Sequence, residues 1–197
     1  MHPHLGGLIQ PKMYSKEQID KIGNTVVYLS DKIKNASKTK IIKLLYILDE
    51  ISIKKSGIPF LNLEYKVWKF GPVANDIFVE FSSAPSLLRE YIIRSTTDEG
   101  HDYILPKQAF KDDEFSQNEL DLLDFVIAEF KDYTSDDLIA YTHRKNSPWY
   151  NTAVKNSVLE LLENEKISTT DFIIDMSELV SYDDRKLNIY RECIESF

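Results

Sequence analysis

The apolar residues of this chain recur mostly at helical spacing. One set runs through Ile19, Ile22, Val26, Leu29 and Ile33, and a second through Ile41, Leu44, Leu45, Leu48 and Ile51. Each set lies on one face of a 3.6-residue turn and predicts an amphipathic helix. Further helices are predicted at Leu120, Leu123, Ile127 and Phe130, at Leu138 to Thr142, and around Val154 to Leu162. Two more are predicted at Phe172, Met176 and Leu179, and at Leu187, Tyr190, Ile194 and Phe197. Three starts are marked by capping boxes: Ser15 with Gln18, Ser116 with Glu119 and Ser168 with Asp171. At that spacing a hydroxyl and a side-chain acceptor satisfy backbone donors that a first turn otherwise leaves unpaired. Hydrophobic staples pair Tyr14 with Ile19, Phe115 with Leu120 and Ile167 with Phe172 at the same starts. The second helix is predicted to begin near Ser37 and to stop at Lys54, Lys55 and Gly57, with a basic face opposite its apolar one.

Two stretches depart from helical spacing. Glu64 to Phe70 reads as extended and is broken by Gly71 and Pro72; Pro72 is predicted to open a helix with Val73, Ile77, Phe78 and Phe81 on its apolar face. Tyr91 to Arg94 and Tyr103 to Leu105 flank a polar turn at Gly100 and predict a hairpin. The resulting fold class is mainly α with a small β element (α+β), a compact multi-helix domain with a short hairpin or small sheet. Helices of this length are marginal alone, so their apolar faces must bury one another. No repeat or linker divides residues 13–197, which read as one domain, whereas residues 1–12 precede the first cap and read as an N-terminal extension.

Composition and charge narrow the function classes. With 197 residues, 43% hydrophobic and 28% charged, the chain is neither collagen-like nor disordered. Its one cysteine, Cys193, cannot form an internal disulfide, and the reducing cytoplasm is the expected compartment. No apolar run approaches the roughly 18–20 residues that span a bilayer, and MHPHLGGLIQPK does not look like a signal peptide. The net charge of −8 divides into +6 up to Lys69 and −14 from Phe70 onward. Lys32, Lys34, Lys38, Lys40 and Lys43 cluster around the start of the second helix. A phosphate-binding face would need them on one side and would favour arginine, of which there is none before Phe70; nucleic acid is therefore not the expected partner.

Catalytic signatures are absent. The chain has no phosphate-cradling, dinucleotide, nucleophile-elbow or HExxH motif. Among its histidines, His2, His4, His101 and His143, the only close pair lies in the extension, so no metal or cofactor is expected. Cys193 reads as structural, and paired acids such as Asp49 with Glu50 and Asp136 with Asp137 read as helix-terminus or surface charge. The expectation is a protein that is not an enzyme. Trp68 is expected in the core; for Trp149, core packing and a partner-contact role both stand.

Three segments carry a family resemblance. KLLYILDE (Lys43 to Glu50, with Leu44, Tyr46 and Asp49), VWKFGPVANDIF (Val67 to Phe78, with Trp68, Gly71, Pro72 and Val73) and THRKNSPWY (Thr142 to Tyr150, with His143, Ser147, Pro148 and Trp149) resemble, in order and spacing, the Panacea domain of SocA-like antitoxins of bacteria and phages. The resemblance spans roughly Ile19 to Leu179. Leu48 departs from it, since a smaller residue is expected before Asp49, and the hairpin is poorly matched. The resemblance implies a mostly helical antitoxin that neutralises a cognate protein toxin by direct binding in a toxin–antitoxin pair. It also admits an adaptor that delivers the toxin to a cytoplasmic protease. A nucleic-acid-binding regulator of its own operon is the remaining alternative. The motif residues could serve either structure or partner contact.

Overall fold

The computed structural model describes residues 13–98 and 100–195; the expected extension at 1–12 and Phe197 lie outside them. Helix α1 (Lys16–Lys32) starts at Ser15 with both halves of its capping box formed, and α2 (Lys38–Ser56) starts at Ser37 and stops at left-handed Gly57. Strands β1 (Tyr65–Trp68) and β2 (Gly71–Ala74) form an antiparallel hairpin that leads into α3 (Asn75–Ser82). A second hairpin joins β3 (Ile92–Thr96) and β4 (Asp102–Pro106). Then follow α4 (Gln117–Phe130), α5 (Ser135–Thr142), α6 (Pro148–Lys155), α7 (Leu159–Glu163), a 3-10 turn (Met176–Val180) and α8 (Asp184–Glu195). The architecture is mainly α with two small two-stranded sheets.

Helix α2 is the axle of the fold. Every residue from Lys40 to Glu50 is buried, and α1, α3, α4, α5, α8, β2, β4 and the 3-10 turn all pack against it. Over that stretch the helix has no solvated face, so no continuous basic face runs along it, and its exposed lysines are Lys54 and Lys55 in the last turn. Lys40 instead donates to the Lys131 carbonyl at 2.6 Å and Lys43 to the Pro72 carbonyl at 2.9 Å. Long aliphatic stems allow both to be buried when the ammonium finds an acceptor.

Three expected helices are corrected. Pro72 opens no helix: Gly71, at φ +98°, lets the chain reverse after Lys69 and Phe70, and Pro72 pairs with Val67 in the hairpin. The stretch Val154 to Leu162 is two helices, interrupted at Ser157, which takes φ +56°. The box at Ser168 and Asp171 starts no helix either. Residues 168–174 lie alongside β1 instead, with Lys69 N–H on the Ser168 carbonyl, Val67 N–H on the Phe172 carbonyl and Ile174 N–H on the Tyr65 carbonyl, and they pair as a strand only at Ile173, opposite Lys66. Hydrogen bonds to a waiting strand edge override a local start signal, because the same backbone groups cannot serve both.

Candidate functional site

The three motifs, distant in sequence, meet at one junction. Asp49, fully buried near the end of α2, accepts Leu61 N–H at 2.6 Å and Asn62 N–H at 3.2 Å on one oxygen. Its other oxygen accepts Leu63 N–H at 3.3 Å and the Tyr65 hydroxyl at 2.8 Å. This carboxylate therefore shapes the loop that delivers β1; burial raises its pKa and the four donors act against that rise. One turn earlier, Tyr46 meets the Tyr65 ring edge to face at 5.1 Å, and Leu44 is fully buried.

The hairpin rests on α2 and on the α5–α6 corner. A Cβ on Gly71 would lie 2.7 Å from Thr142 Oγ1 and 3.0 Å from Lys43 Cε, so this position requires glycine for space as well as for its positive φ. Val73 is buried beside it. The Trp149 indole N–H donates to the Trp68 carbonyl at 3.0 Å, and the half-buried Trp68 ring meets Phe78 at 4.9 Å. Ser147 accepts Tyr150 N–H at 3.1 Å as the α6 cap and donates to the Thr142 carbonyl at 2.9 Å. Pro148 occupies the first turn, where its missing N–H costs nothing.

His143 stacks on Trp149 with ring centroids 3.7 Å apart and planes 8° from parallel. Burial and the neighbouring Lys43 push its pKa down to about 4. Burial alone pushes Lys43 down to about 7, so both groups release a proton more readily inside the fold than in the unfolded chain. Beside them Glu50, with no exposed side-chain surface, pairs with Lys54 and Arg144. Arg144 also lies over the Tyr141 ring at 4.3 Å.

Most motif residues thus have an interior role, Trp68 and His143 being partly buried, and Trp149 is only 2% exposed. Lys43, Glu50, Thr142 and Arg144 belong to the junction as well. For Lys43 the signal lay in the sequence, as a lone charge inside the apolar run from Ile41 to Leu45; Arg144 stands inside the third motif, but nothing local marks it as the partner of Glu50. The lysines of the N-terminal third do not make one free face. Lys21 pairs with Glu119, Lys38 with Asp102 at 3.2 Å, Lys66 with Asp171 at 2.8 Å and Lys69 with Glu165 at 2.8 Å. The basic and acidic parts of the sequence therefore interleave in space. Among the described residues no three His, Cys, Asp or Glu side chains are grouped to hold a metal ion, and no helix is long and apolar enough to cross a membrane.

A buried central helix locked to a hairpin and a helix corner by interior polar contacts defines a helical scaffold domain. The chain belongs to the antitoxin SocA-like, Panacea domain family, whose family model matches residues 41–150. The match is narrower than the span from Ile19 to Leu179 expected from the motifs; it begins inside α2 and ends inside α6. No curated protein and no solved structure matches the chain.

Proposed function

We propose that this chain is an antitoxin that neutralises a cognate protein toxin by direct protein–protein binding, acting as a binding partner and not as an enzyme. Membership of the SocA-like antitoxin family over residues 41–150 carries this reading. Most of the motif side chains face inward, so the toxin meets mainly surface outside them. The net charge of −8 favours a basic partner, because complementary charge speeds encounter and penalises wrong partners. Cytoplasmic action in a toxin–antitoxin pair follows from the same reading.

Coexpression with the product of the neighbouring gene tests it. The expected result is growth arrest by that product alone, recovery when this chain is present, and copurification of the two. Normal growth with that product expressed alone, or arrest that persists beside the folded chain, overturns the reading. Recovery that needs a cytoplasmic protease would replace inhibition with delivery to that protease.

A further inference from the structure

Residues 172–174, beyond the part that the family model matches, form a short outer edge on the first hairpin. The bonds from Val67 N–H to the Phe172 carbonyl (3.0 Å) and from Ile174 N–H to the Tyr65 carbonyl (2.8 Å) flank the antiparallel pair of Lys66 with Ile173. In that register the N–H and C=O of Ile173 point away from β1. Among the described residues neither has a hydrogen-bond partner. Around Ile173 the edge is mostly exposed: Asp171, Phe172, Ile173 and Asp175 lie at the surface, Ile173 by 55%, and Ile174 is buried. Ile173 and Ile174 also wall a groove of about 300 Å³ with Leu63, Tyr65 and Ile194, where the one charged wall residue is Glu64.

We infer that this edge receives an extended segment of the toxin by strand addition, with an apolar residue opposite Ile173 and a Lys or Arg two residues to either side. The inference rests on the antitoxin reading above. An unpaired edge offers main-chain bonds to any strand, and the side chains select which strand. An apolar residue covers Ile173, and cations two positions away stand opposite Asp171 and Asp175, the pairing that stabilises adjacent strands. Lys66 engages one oxygen of Asp171, whose side chain remains 87% exposed. A second copy of this chain fits poorly. Two-fold antiparallel pairing centred on Ile173 sets Asp171 against Asp175 at both ends, placing like charges opposite each other.

The test measures binding of the neighbouring-gene toxin to the full chain, to Ile173→Pro, and to the double variant Asp171→Lys with Asp175→Lys. Proline removes an N–H that the fold leaves unused, and thermal melts check that both variants fold. An equal charge change on the exposed face of α4, Asp121→Lys with Glu129→Lys, is the control. Affinity is expected to fall by about tenfold or more for both edge variants and to stay within about threefold for the control. Folded edge variants that bind the toxin like the original chain overturn the inference. A chain that binds a Lys-Thr-Ile-Thr-Lys peptide through this edge but not the toxin overturns the antitoxin reading and supports the edge as a strand acceptor. A concentration-dependent dimer that Ile173→Pro abolishes assigns the edge to a second copy and overturns the inference.

Discussion

Lys43 shows how a single residue can be read in opposite ways. In the sequence it belongs to a basic cluster; in the structure it is 1% exposed, with its ammonium on the Pro72 carbonyl. Its folded pKa of about 7 lies below its ordinary value of 10.5. The unfolded chain therefore binds more protons between these limits, and stability must rise with pH across that window. His143, at about 4 against 6.5, acts with the same sign between pH 4 and 6.5. Urea unfolding is expected to show midpoints that climb from pH 4 to 6.5 and again from 7 to 9. Lys43→Met should flatten the upper climb and His143→Phe the lower; unchanged slopes would contradict both assignments. Asp49 acts through hydrogen bonds: four donors converge on its carboxylate, although burial raises its pKa. Asp49→Ala strands buried N–H groups and should cost about 3 kcal/mol, measured by the same unfolding curves.

At the scale of elements, identical local signals had different outcomes. Ser15 and Ser116 begin helices, whereas Ser168, with a similar box and staple, lies at a bend whose carbonyl accepts Lys69 N–H. Ser15→Ala should therefore cost about 1 kcal/mol, while Ser168→Ala should leave the melting temperature unchanged. A comparable loss at both positions would show that the box at Ser168 does stabilise local structure. The difference arises from position. Residues before α1 have no competing edge, but the 168–174 backbone meets the open side of Tyr65 to Lys69, and those pairings are available only after the chain has folded back more than 90 residues. In α2 the run of apolar residues identified the helix, but the burial of its polar side depended on how many elements gathered round it.

For the whole molecule, the family match covers 41–150 while the core does not stop there. Ile22, Val26 and Leu29 from α1, and Leu179 and Val180 after α7, complete the enclosure of α2. A fragment restricted to 41–150 should expose that surface and lack cooperative thermal unfolding by circular dichroism, whereas residues 13–195 should unfold cooperatively. A sharp cooperative transition in the short fragment would show that the outer segments are dispensable. The charge division by halves also changes at this scale, because lysines from the first third pair with acids from the rest; such surface pairs contribute little stability but leave no separate basic face.

The helical class, the starts of α1, α2 and α4, the stop of α2, the extended stretch before Gly71, the second hairpin and the motifs that mark the family are all legible in the amino-acid order. These follow from local spacing, from caps and from glycine or proline at turns, all encoded within a few residues. It took the folded arrangement to make Lys40, Lys43 and Glu50 interior, to bury Trp149, and to lay residues 168–174 along β1 in place of a helix. Burial and strand pairing depend on which distant segments arrive beside a residue. No local pattern states those neighbours.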